Sequence, residues 1–92
     1  MTMVFFPAIL FPPGEDGLAG CVVPGPNINA GGASSEAALD DAVSVLTALI
    51  AEADAGGEDR PRPLTVEAVQ REIDDLGGVL VWLPAISPRA AA

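Results

Sequence analysis

From Leu39 to Ala53 the apolar residues fall at Leu39, Ala42, Val43, Leu46, Leu49, Ile50 and Ala53, the i, i+3, i+4, i+7 spacing of a helix with one buried face. Asp40, Ser44, Thr47, Ala51 and Asp54 fall on the opposite side. A helix of roughly 20 residues is about 30 Å long, and its stripe needs an apolar surface of similar length to lie on. No second helical pattern in the chain matches it, so that surface is expected to be a sheet. The boundaries are marked as well. Ser34 is placed to accept a hydrogen bond from an amide of the first turn, and Glu36, Asp40 and Asp41 put negative charge near the positive end of the helix. Gly56-Gly57 ends it, and Pro61 and Pro63 discourage its resumption.

The strands come from the shorter apolar runs. Met3 to Phe11 is rich in Val, Ile and Phe and reads as a strand, with Pro7 favouring an edge position or a bulge. The turn Pro12-Pro13-Gly14-Glu15-Asp16-Gly17 leads to a second strand, Leu18 to Val23, giving a hairpin. Pro24-Gly25-Pro26-Asn27 breaks it, Ile28 to Ala30 is a short third strand, and Gly31-Gly32 turns the backbone into the helix. Past the loop from Ala55 to Pro63, whose charges Glu58, Asp59, Arg60 and Arg62 read as solvated, Thr65 caps a second, shorter helix. Leu64 and Val69 form a candidate hydrophobic staple at its start, and Val66, Val69, Ile73 and Leu76 form its stripe. Gly77-Gly78 stops it, and Val79 to Leu83 is a strand closed by Pro84. The expected order is β-β-β-α-α-β: an α+β fold in which one antiparallel sheet is covered on one face by one long helix. It occupies residues 1–86 as a single domain, with 87–92 a flexible tail.

Charge and side-chain inventory narrow the function. The 92 residues include 13 acidic and 4 basic side chains, with no Lys and no His, for a net charge of −9. Phosphate backbones are bound by Lys and Arg, so direct binding of nucleic acid by this chain alone is not expected. A basic protein partner is favoured by steering, although the same charge also serves to keep an apolar chain in solution. A domain of this size buries only about 60 to 65 per cent of its unfolded surface, which favours self-association. The single Cys21 excludes an intramolecular disulfide and suits a reducing compartment. Met3 to Phe11 lacks a basic leader and is interrupted by Pro7, so it is a poor secretion signal. No apolar run approaches the ~20 residues of a membrane span. A cytoplasmic protein is the expectation.

Enzymatic machinery is scarce. Without His, Tyr or Lys, only carboxylates and hydroxyls remain as acids, bases or nucleophiles. Glu15-Asp16 and Asp40-Asp41 would hold a divalent cation only if they converged, and adjacent residues point in different directions, about 100° apart on a helix. No metal site, cofactor or catalytic residue is expected. Ser34 and Ser35 have no nearby base, and Cys21 lies in an apolar strand with no basic neighbour, the setting of an inert thiol.

Taken in order, Phe6-Pro7-Ala8-Ile9-Leu10, the acidic Gly turn, Pro24-Gly25-Pro26-Asn27, Ala30-Gly31-Gly32 and Ser34-Ser35-Glu36-Ala37-Ala38-Leu39-Asp40-Asp41-Ala42 resemble the HicB-type antitoxin family. That family has a Tyr-Pro-Ala first strand, a Pro-Gly turn, a Gly bend and a Thr-x-Glu-Glu-Ala-Leu-x-x-Ala helix start. The resemblance extends from Met3 to about Pro84. It implies a shortened ribonuclease-H-like domain that binds and neutralises a small basic HicA-like toxin, an mRNA-cutting ribonuclease, in a type II toxin-antitoxin pair. The sequence leaves no segment for a helix-turn-helix or ribbon-helix-helix, and the first strand carries no acid with which ribonuclease H would hold metal. The toxin contacts expected are Glu36, Asp40 and Asp41 at the acidic helix start and Val81 and Trp82 on the last strand. That strand would offer unpaired backbone groups to another chain if it lies at a sheet edge. The alternative is an orphan relative, a homo-oligomeric interaction or regulatory protein without a toxin.

Overall fold

The computed structural model describes residues 2–87, leaving aside the side chains of residues 2, 3, 86 and 87. The elements are β1 (Thr2–Phe11), β2 (Ala19–Val23), β3 (Ile28–Gly32), α1 (Ser35–Gly56), α2 (Val66–Leu76) and β4 (Val79–Ser87). The strands form one four-stranded sheet of order β3-β2-β1-β4, antiparallel throughout. The chain is thus the α+β domain expected, a β-β-β-α-α-β succession. β4 reaches Ser87, one residue into the segment expected to be a tail, and the rest of that segment lies outside the described residues.

Both helices begin where their caps predict. Ser34 Oγ accepts from the Ala37 amide at 3.1 Å and Thr65 Oγ1 from the Ala68 amide at 3.2 Å. α1 ends in a left-handed Gly57 cap whose amide turns back on the last carbonyls. Its buried ridge is Ala38, Ala42, Leu46, Ile50 and Ala53; the last four belong to the expected stripe, and Ala38 joins them. Leu39, Val43 and Leu49 are only half-buried beside it. Small residues at 38 and 42 let the helix approach the sheet closely, so the larger Leu39 and Val43 ride over its flank. Gly31 and Gly32 are also reassigned: they end β3 rather than forming the bend. A Cβ on Gly32 would stand 2.6 Å from the Ala37 Cβ, so this glycine is where the helix start rests on the strand.

The core on the α1 side contains Phe6 and Ala8 of β1, Ala19, Cys21 and Val23 of β2, Ile28 of β3, and Leu83 and Ala85 of β4. Ile9 has the opposite parity, is fully buried and stands outside that core. α2, which touches β1 and β4 but not α1, lies on this second side, with Val69 fully buried. The sheet therefore has helix on both sides, not one. Of the expected α2 stripe, Leu76 is 68% exposed, because the helix ends there and the chain turns away through Gly77.

Two prolines fix the hydrogen-bonding parity. Pro7 opposes Trp82 and Phe5 opposes Pro84, and proline has no N–H to give. Both are accommodated if directly opposed residues at this parity exchange no hydrogen bond, which makes Phe5–Pro84, Pro7–Trp82 and Ile9–Leu80 the non-bonded pairs. β1 lies inside the sheet order, yet at Pro7 it is paired with β4 alone, the edge position expected of that proline. Its β2 pairing covers only Ile9 to Phe11; extended, it would set Pro7 against Pro24, neither with an N–H, and β2 stops at Val23. Pro84 does not close β4, because its missing N–H falls on the side facing no strand. Amide hydrogen exchange is expected to alternate along β4: slow at Val81 and Leu83, bonded to β1, and fast at Leu80 and Trp82. The reverse alternation would overturn the assignment.

Candidate functional site

β4 is an edge strand, and α1 does not fully cover it. Between them runs an open groove of about 500 Å³, lined by Leu39, Asp40, Val43 and Ser44 of α1 and Val81, Trp82, Leu83 and Pro84 of β4. Leu39 and Val43 form one helical ridge and Asp40 and Ser44 the next, four residues apart in each case, so the groove has an apolar floor and a polar rim. Trp82 also lines it along the strand, but its side chain alternates to the sheet face away from α1, where it is 52% exposed. It shares a sheet face with Phe5, which is 53% exposed and opposes Pro84. Two large aromatic side chains thus stand in water beside a strand edge, an arrangement more common at interaction surfaces than on an isolated monomer.

Of the five expected contact residues, the structure brings Asp40, Val81 and Trp82 together in this groove. Glu36 is exposed one turn before Asp40 on the same helix face but does not line it. Asp41 is elsewhere. Its Oδ2 accepts from the Gly31 amide at 3.3 Å, on the β3 side of the sheet. The parity set by the prolines explains why: carried across β1 and β2, it has Ile9 bonding Val22 and Cys21 bonding Ala30, leaving the Gly31 N–H pointing off the β3 edge. Asp41 occupies that donor. The two edges therefore differ in kind. β3 has five residues and a carboxylate over one outward amide, whereas β4 has nine and presents Leu80 and Trp82 outward.

Leu39, Val43 and Ser44 were not anticipated at the site, because Leu39 and Val43 belong to the stripe that reads as core. The signal that would have moved them outward was the Ala38-Ala42 spacing, a small-residue ridge one position away. Two other acids, Asp16 and Asp54, have local work. Asp16 Oδ1 accepts from the Leu18 amide at 2.9 Å, closing the β1–β2 turn. Arg60, expected to be solvated, instead grips Asp54 with Nε at 2.7 Å and Nη2 at 3.0 Å, tying the interhelical loop to the end of α1.

Cys21 is buried, and desolvation pushes its thiol from 9.0 up to about 11. Alkylation at mildly alkaline pH is expected only after unfolding; rapid labelling of the native protein would contradict its place in the core. The linkage has a definite sign. The folded state keeps a proton that the unfolded state releases first, so this group's contribution is intact below pH 9 and is lost as pH rises toward 11.

Among the described residues no group of three or more His, Cys, Asp or Glu side chains is placed to hold a metal ion. No helix among them is long and apolar enough to cross a membrane. Comparisons with protein-family models, with curated proteins and with solved structures found no match to this chain. The family resemblance is carried by the order of its motifs alone.

Proposed function

We propose that the chain is a non-enzymatic, HicB-like antitoxin with a truncated ribonuclease-H-like domain, which binds and neutralises a small basic mRNA-cleaving toxin of the HicA kind in the cytoplasm. The observation that carries this reading is the meeting of Asp40, Val81 and Trp82 in one groove at the open edge of β4. It combines an apolar floor, an open strand edge and a carboxylate on a chain of net charge −9, the surface that a basic protein would recognise and steer toward. The ordered motifs from Phe6 to Ala42 supply the family. Neutralisation would work by covering the toxin's active site, and it needs no chemistry from this chain.

The test is co-purification. Expressed with the short basic open reading frame beside its gene, the tagged chain is expected to bring down that product in a stoichiometric, salt-sensitive complex. Recovery of the chain alone at low salt would remove the antitoxin reading. Exposed Phe5 and Trp82 favour a second reading, an orphan homo-oligomer that buries the same aromatics against a second copy.

A further inference from the structure

We infer that the open edge of β4 takes up an extended segment of a basic partner as a fifth strand, with an Arg or Lys of that segment laid along the groove and its charged head at Asp40. The inference rests on the reading of this groove as the partner site and specifies how it is used. Leu80 and Trp82 each turn both backbone groups outward, while Pro84 can offer only its carbonyl. An added strand therefore bonds along Val79 to Leu83 and loses its ladder at Pro84.

Side-chain alternation fixes what such a strand must carry. Val81 and Leu83 point to the α1 side, since both pack against the core beneath that helix, so every second residue of the incoming strand projects toward α1. There it meets the Leu39–Val43 ridge first and the Asp40–Ser44 ridge beyond it. A long aliphatic stem ending in a cation satisfies both, apolar along the floor and ionic at the rim. Glu36, one turn before Asp40, adds like charge, and among the described residues no cation lines the groove to compete. A second copy of this chain fits less well: its own β4, Val79–Ser87, carries no Arg or Lys to answer Asp40.

The experiment uses the full chain and a ten-residue peptide of alternating Val and Arg, followed by amide hydrogen exchange. Binding is expected to slow exchange at Leu80 and Trp82 while leaving the already protected Val81 and Leu83 unchanged. The same peptide with Glu for Arg should give no protection, and Asp40→Asn should weaken the Arg peptide by up to about fivefold. Trp82→Pro removes an outward amide at the parity Pro84 already occupies and should abolish protection at Leu80, whereas Trp82→Val keeps the amide and should retain it. Protection absent at millimolar peptide, or unaffected by Trp82→Pro, would overturn strand addition. The antitoxin reading is judged separately by co-purification. A partner bound there without protection of Leu80 and Trp82 sinks this inference and leaves that reading standing, and peptide protection without a toxin partner does the reverse.

Discussion

Replacement of Leu46 by Asp is expected to leave no cooperative unfolding transition at 25 °C. Leu46 is fully buried at the middle of the α1 ridge, in the same core as Ala8, Cys21 and Leu83. Losing the leucine contacts costs about 2 to 5 kcal/mol by analogy with cavity-forming changes. Placing a carboxylate in that space adds several more, because no basic side chain belongs to the core to pair with it. A domain of this length has about 5 to 14 kcal/mol in total, so the sum consumes most or all of it. Ala48→Asp provides the comparison: it adds the same charge to an exposed position of α1 and should shift stability by about 0.5 kcal/mol or less. An unchanged melting temperature for Leu46→Asp would mean that α1 does not face the sheet through this ridge.

Gly78→Ala is expected to destabilise the domain through two effects at once. At Gly78 φ is +98°, a backbone shape that a Cβ opposes, and the added carbon would stand 2.5 Å from Ile9 Cγ2 and 3.1 Å from the Leu10 carbonyl oxygen. Strain of about 1 to 2 kcal/mol and overpacking of about 1 to 3 kcal/mol act together. The neighbouring Gly77 separates the two effects. Its φ is +82° but nothing lies within 4 Å of a Cβ there, so Gly77→Ala should show the strain alone. Urea unfolding of the two variants checks this, and equal losses would show that the connection between α2 and β4 does not press on β1 as described.

Local signals reported themselves well in the sequence. Ser34, Thr65 and the Gly-Gly pairs marked both helices because caps and left-handed turns depend on a few adjacent residues. What was hidden depends on partners far along the chain. Pro7 signals an edge, and β1 is open there on its β2 side; only the pairing shows that β4 covers the other side, at a non-bonded position. Pro84 signals an end for the same reason and is harmless on the outer side of an edge strand. The stripe of α1 was legible at Ala42, Leu46, Ile50 and Ala53 but not at its margin, since whether Ala38 or Leu39 and Val43 pack deepest depends on how closely the sheet approaches. At the site, Val81 and Trp82 were found by their place on an apolar strand that could form a sheet edge, and Asp40 by its charge at the helix start. Asp41 carries the same signals, yet it spends its carboxylate on Gly31, a residue ten positions away.

The groove at β4 is held by residues with little other work: Asp40 and Trp82 are both exposed, and neither belongs to the buried core. A change there should therefore alter binding without unfolding the domain. The most direct measurement is growth of cells expressing the neighbouring short basic open reading frame together with this chain, in its original form and as Trp82→Glu, with both proteins shown to be folded and equally abundant. The account predicts growth arrest by the neighbouring product alone, rescue by the original chain and loss of rescue by Trp82→Glu. Rescue that is equally complete with both forms would contradict the groove as the interaction surface, and no rescue by the original chain would contradict the antitoxin itself.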